Sequence, residues 1–154
     1  MSTSRVTPFL WFDNTAEAAA SFYTKLIPNS RVLDAMRAPT DNPSTRAGQV
    51  ITVTFELDGQ KVIAMNGGPG HPPTDAFSFT VQCEDQAEID RYWSALTAEG
   101  GSEVACGWLK DRFGLSWQIV PKDIGKLIST PAGMQAMMKM KKLDIAELER
   151  AGRS

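Results

Sequence analysis

The hydrophobic and polar positions of this chain fall into two passages built on one plan. In the first, residues 6–12 (VTPFLWF) form an apolar, aromatic run that predicts a strand, with Pro8 near its start rather than its centre. Asp13-Asn14-Thr15 offers helix-capping side chains. Good helix formers follow over Ala16–Leu26, where Ala19, Phe22, Tyr23 and Leu26 recur at helical spacing. Pro28-Asn29 stops this helix. Arg31–Arg37 predicts a second strand, and a polar loop covers 38–47. Residues 49–57 and 61–66 flank Asp58-Gly59, a strong signal for a two-strand hairpin.

A Gly- and Pro-rich stretch over 66–73 (NGGPGHPP) separates this passage from the second. Residues 77–83 alternate, with Phe77, Phe79, Val81 and Cys83 on one face and Ser78, Thr80 and Gln82 on the other. Asp85 and Glu88 have the spacing of a capping box, Ile89, Trp93 and Leu96 supply the helix's apolar stripe, and Gly100-Gly101 ends it. A strand is expected over 103–106. The run 106–121 (CGWLKDRFGLSWQIVP) then predicts a hairpin bent at Lys110-Asp111-Arg112-Phe113-Gly114. On its return strand, Ser116, Gln118 and Val120 share one face, and Leu115, Trp117 and Ile119 share the other.

Both passages therefore read strand, helix, three strands, an internal repeat of structure without obvious sequence identity. Neither buries a sheet face alone. The fold class expected is α+β: two βαβββ modules, about 5–66 and 76–121, forming a curved mixed sheet around a concave cavity within a domain spanning 1–128. A helical tail should occupy 129–154. There, Thr130-Pro131 reads as an N-cap followed by proline at the first helical position. Met134, Met137, Met138, Ile145 and Leu148 supply its apolar stripe, and Asp144 with Glu147 opens a second helix.

Composition narrows the function classes. A chain of 154 residues, 42% hydrophobic, suffices for one well-packed domain, and a formal charge of −2 gives no pull toward nucleic acid or an anionic membrane. Two cysteines cannot build a secreted disulfide framework, and no stretch has the length of a membrane span, so a cytoplasmic protein is expected. The N-terminal residues lack the apolar core of a signal peptide.

Candidate chemistry is sparse. His71, the single histidine, lies between Gly70 and Pro72 and reads as a solvated linker residue. Cys106 reads as an inert core thiol with no histidine nearby to activate it. Trp11 and Trp93 fall in helix-facing registers, which leaves Trp108 as the tryptophan expected to wall a cavity. Asn66 and Gln118 are amides at concave-face positions, and buried amides need partners. Either they bond to each other and to Ser78 as structure, or they orient a ligand. Leu10 and Phe12 are candidate apolar walls, and no catalytic residue is assigned.

Four segments together resemble a known family: FLWFDNTAEAAASFY, the linker NGGP, CEDQAEIDRYW and CGWLKDRFGLSWQIVP. They resemble the vicinal-oxygen-chelate superfamily of glyoxalases, bleomycin-resistance proteins and extradiol dioxygenases. Within it they are similar to the PhnB-like branch labelled 3-demethylubiquinone-9 3-methyltransferase, which the tail AMMKMKKLDIAELE also resembles. The superfamily implies paired βαβββ modules and a divalent metal held by His and Glu from the first and last strands of each module. Those positions fall near Pro8, Ala64 to Asn66, Ser78 and Gln118, none of them His, Asp or Glu. Neutral amides and hydroxyls bind hard cations weakly without carboxylates, so no metal and no cofactor are expected. Methyl transfer is not expected either, because Gly67-Gly68-Pro69-Gly70 leads into His71-Pro72-Pro73 and not into a helix. The expectation is a small-molecule binding protein or metal-independent enzyme, probed by a cavity set of Leu10, Phe12, Asn66, Ser78, Trp108 and Gln118. The alternative is a metal-dependent lyase, isomerase or dioxygenase of the glyoxalase type. A homodimer is expected, since curved sheets leave open edges.

Overall fold

The computed structural model describes residues 4–153, which divide into two compact units with the boundary between Pro73 and Thr74. Each carries a four-stranded mixed sheet and a helix between its first and second strands, so the α+β class with repeated βαβββ order holds.

In the first unit, strand β1 (Phe9–Phe12) pairs parallel to β4 (Gln60–Asn66), which pairs antiparallel to β3 (Val50–Leu57) and then β2 (Arg31–Arg37). Strand β1 begins later than residue 6: Pro8 has no N–H, and its carbonyl accepts from Ile63 at the start of the ladder. Helix α1 (Ala16–Leu26) lays Ala16, Ala19, Ala20 and Tyr23 on the sheet, with three alanines allowing close approach. Against them lie Leu10 and Phe12 of β1, Val53, Phe55 and Leu57 of β3, and Val62 and Ala64 of β4, all buried.

This register inverts the one expected for β1. Leu10 and Phe12, expected as cavity walls, are core residues, and Trp11 takes the other face beside its β4 partner Met65. Period-2 alternation alone leaves open which set faces the helix; the small residues of α1 decide, because leucine and phenylalanine fill the space that alanines leave.

The second unit orders its strands β5 (Ser78–Cys83), β8 (Ser116–Pro121), β7 (Trp108–Lys110) and β6 (Ser102–Glu103), with β5 parallel to β8 and the other pairs antiparallel. Helix α2 (Gln86–Thr97) starts at the cap read from the sequence: the Asp85 carboxylate accepts from Glu88 N, while Glu88 Oε1 reaches back one residue beyond the cap and accepts from Glu84 N. Its Ile89, Tyr92, Trp93 and Leu96 pack on a core of Cys83, Leu109, Trp117 and Ile119. Strand β6 ends at Glu103, short of the expected span. Beyond it Cys106 sits in a left-handed turn at φ 59°, not on a strand.

The tail forms α3 (Ile124–Leu127), α4 (Pro131–Met138) and α5 (Ile145–Gly152) and belongs to the second unit. Thr130 and Asp144 cap α4 and α5 as their spacing predicts. Leu143 and Leu148 pack on Val120, joined by Ile124, Leu127, Ala136, Met137 and Met140. Gln86 clips the tail from both sides of its amide, donating to Leu143 O at 2.9 Å and accepting from Ile145 N at 2.8 Å. The turn at Cys106 holds it too, since Cys106 N and Gly107 N donate to Met140 O and Lys141 O. Among the described residues no helix is long and apolar enough to cross a membrane.

Candidate functional site

Hairpin register assembles a row of polar and aromatic side chains on the side of the second unit's sheet away from α2. Ser78 of β5 stands beside Ser116 of β8, which pairs with Lys110 of β7 and through it with Ser102 of β6. One step along, Thr80, Gln118 and Trp108 form a second row. Gln118 Nε2 donates to Ser78 Oγ at 3.0 Å, one of the two pairings the sequence left open. The Ser78 hydroxyl proton and Gln118 Oε1 stay available to a third group. Trp108 and Gln118 are half-buried, as a rim reached by solvent requires. At the far end Val120 is covered by the tail, which closes that side of the row.

The bend between β7 and β8 is held by Asp111, only 2% exposed. Its Oδ1 accepts from Phe113 N at 2.8 Å and Leu115 N at 3.0 Å, and its Oδ2 accepts from the indole of Trp117 at 2.8 Å. Gly114, at φ 87°, supplies the left-handed residue that the turn needs. The register that lines up Trp108 with Gln118 and Lys110 with Ser116 depends on this turn.

Asn66 lies on the α1 side of its own sheet, which corrects its expected place on the concave face. Its Oδ1 accepts from Ala16 N at 2.9 Å and its Nδ2 donates to Val50 O at 3.0 Å, with the residue 8% exposed. It is the side-chain cap of α1, supplied from fifty residues away, while Thr15 makes no side-chain cap bond. Asn66 also borders a cavity of about 450 Å³ together with Asp13, Asn14, Glu17, Arg37 and Thr45. Polar groups dominate that lining, which lacks the apolar wall that organic ligands need. Of the six candidate residues, the structure therefore gathers Ser78, Trp108 and Gln118 on one sheet face and leaves Leu10, Phe12 and Asn66 in the core of the other unit.

His71 is exposed but not loose: its ring lies 4.6 Å from that of Trp11, whose Nε1 donates to Gly68 O at 2.8 Å. The linker folds onto Trp11 because Gly67 has no Cβ, which would fall 2.3 Å from the indole. Cys83 is fully buried, and desolvation pushes its thiol up to about 12, so it is neutral and inert.

The residues on the second unit's face do not fit a divalent metal. Ser78, Thr80 and Gln118 offer neutral oxygens only, Lys110 adds a positive charge, and no three His, Cys, Asp or Glu cluster anywhere among the described residues. Sequence reasoning passed over Ser116 and Lys110. The signal was present, because a hairpin that pairs residue 108 with 118 must also pair 110 with 116.

Comparison with known proteins adds the family context. The family model described as 3-demethylubiquinone-9 3-methyltransferase matches residues 4–120. Among solved structures, the PhnB protein of Bacillus cereus is 32% identical, with 76% of this chain and 99% of that one covered and a TM-score of 0.67. A Pseudomonas aeruginosa protein is 22% identical over 77% and 98% of the two chains, with a TM-score of 0.60. The fosfomycin resistance protein FosX of Listeria monocytogenes shares the fold at 13% identity and a TM-score of 0.50, over 79% and 91%. No curated protein matches.

Proposed function

Because the chain belongs to the 3-demethylubiquinone-9 3-methyltransferase family of the vicinal-oxygen-chelate superfamily, we propose that it binds a small, partly apolar molecule without a divalent metal. The ligand would sit on the second unit's face away from α2. Gln118 and Ser78 supply its hydrogen bonds and Trp108 its apolar wall. One observation carries this reading. The Gln118–Ser78 pair, half-buried and bonded through a single hydrogen bond, keeps a donor and an acceptor for a third group in a setting without carboxylate or imidazole. The test is thermal unfolding of wild type and Gln118→Ala in a small-molecule library, with elemental analysis of both. A ligand that stabilises wild type and not Gln118→Ala supports the reading. Stoichiometric zinc, nickel, manganese or iron in the wild type overturns its metal-free part and favours glyoxalase-type chemistry.

Methyl transfer, which the family's description names, is not part of this proposal. Methyl transfer from S-adenosylmethionine usually rests on a doubly wound sheet with a Gly-rich turn between a strand and a helix. Both sheets here are mixed, and Gly67-Gly68-Pro69-Gly70 leads into no helix. Saturable S-adenosylmethionine binding by calorimetry is the result that restores that activity.

A homodimer is also proposed. Strand β2 is an outer strand paired on one side only, with β3, among the described residues, and it is exposed along its whole length, with Val32 at 47%, Leu33 at 37% and Met36 at 53%. Such an edge invites a second strand. Sedimentation at tens of micromolar, an order typical of weak association, is expected to give a dimer, and a monomer alone refutes it. The free thiols Cys83 and Cys106 support assignment to the reducing cytoplasm.

A further inference from the structure

We infer that the ligand of the second unit's face is a small organic monoanion, a carboxylate, recognised by Lys110 with the hydroxyls of Ser116 and Ser78. This inference rests on the binding reading above and adds the charge and class of the ligand.

Charge is sparse on this face. The positions that register places there are Ser78, Thr80 and Gln82 of β5, Ser116, Gln118 and Val120 of β8, Trp108 and Lys110 of β7, and Ser102 of β6. Lys110 is the one charged residue among them. The nearby charges are turned away and occupied. Asp111 accepts from Trp117 Nε1, Glu103 accepts from Trp93 Nε1 at 2.6 Å on the α2 side, and Arg112 pairs with Glu99. Lys110 is exposed and takes part in none of the ion pairs among the described residues. A face with one ammonium and no carboxylate repels cations and favours a single negative charge.

Ser116 lies at the centre of the first row. It is 1% exposed, yet its Oγ has no hydrogen-bond partner among the described residues. Buried hydroxyls without a partner are rare, and each calls for a physical reason. Ser116 stands between Ser78 on one side and Lys110 on the other. The three side chains can direct two hydroxyl protons and the ammonium protons at one acceptor group, and a carboxylate has about four acceptor sites to receive them. Gln118 Oε1 and Trp108, one row along, suit the neutral and apolar remainder of the molecule. A single ammonium matches a monoanion better than a phosphate dianion.

The test uses paired probes: acetate, benzoate and phenylacetate, each against its neutral amide, with phenyl phosphate as the dianion. Binding is followed by NMR chemical-shift perturbation on the full chain. Carboxylates are expected to bind more tightly than their amides and to weaken as salt rises. Lys110→Met should weaken the carboxylates about tenfold to a hundredfold, the range of a charge-assisted hydrogen bond, and leave the amides within about twofold. Lys110→Arg should restore much of the loss. Ser116→Ala should weaken carboxylate binding while leaving the melting temperature unchanged or higher, since it removes a hydroxyl with no partner in the fold. Equal binding of acids and amides, unmoved by Lys110→Met, overturns the anion inference and leaves the binding reading intact. Tighter phenyl phosphate also overturns it. If neither acids nor amides perturb Gln118, Ser78 or Trp108, the binding reading falls with it.

Discussion

The Asp111 turn makes a prediction whose size can be worked from the structure. Replacing Asp111 with alanine removes the acceptor for Phe113 N, Leu115 N and Trp117 Nε1. Hydrogen bonds to a charged group contribute about 1.5–3 kcal/mol each, but three bonds to one carboxylate are not additive. Two of the abandoned donors are deeply buried, since Leu115 is 2% exposed and Trp117 1%. Each stranded donor costs about 1–3 kcal/mol. Offset by the relief of not burying a charge, the net loss for Asp111→Ala should be about 3–5 kcal/mol. Asp111→Asn separates the two oxygens. The amide oxygen can still accept from Phe113 N and Leu115 N, while its NH₂ meets the Trp117 indole donor to donor, so about 1–3 kcal/mol should go. Urea unfolding followed by circular dichroism measures both. Losses below about 1 kcal/mol for Asp111→Ala would mean that the carboxylate does not hold the hairpin. A variant that stays folded should also lose probe binding at Gln118, because the register of β7 against β8 loosens.

Asn66→Ala strips α1 of its remote cap and strands Val50 O, so it should destabilise by about 1–3 kcal/mol in chemical denaturation. Asn66→Asp should recover part of that, because an aspartate still accepts from Ala16 N at a helix N-terminus. The Asp90 carboxyl lies below its ordinary value of 3.8, chiefly through its hydrogen bond from Lys142 and then that from Gln86. Ionised Asp90 therefore adds stability above that value and loses it as pH falls through the lower folded value. The urea midpoint of wild type should drop more steeply below about pH 4 than that of Lys142→Met, and parallel curves would refute this link to the tail. Cys83, with its raised thiol, should resist iodoacetamide at neutral pH until the protein unfolds, and mass spectrometry of the native protein showing alkylated Cys83 would contradict its burial.

Much of the fold was legible because it rests on local signals. Periodicity located α1, α2 and most strands, capping boxes fixed the starts of α2 and α5, and Thr130-Pro131 opened α4. Period-2 alternation also put Gln118 opposite Trp117, and the structure agrees: one lies by Ser78, the other in the core with Asp111. Three things depended on tertiary structure. Alternation defines two faces of β1 without saying which meets the helix, and the alanines of α1 drew Leu10 and Phe12 inward and left Trp11 outside. Asn66 looked like a ligand-orienting amide, but a helix that lacks a local side-chain cap recruits one across fifty residues, and no local pattern encodes that bond. Ser116 and Lys110 lie in ordinary strand sequence. Only the register imposed by the Asp111 turn sets an unpartnered hydroxyl beside an ammonium free of ion pairs, because hydrogen-bond satisfaction is a property of neighbours in space.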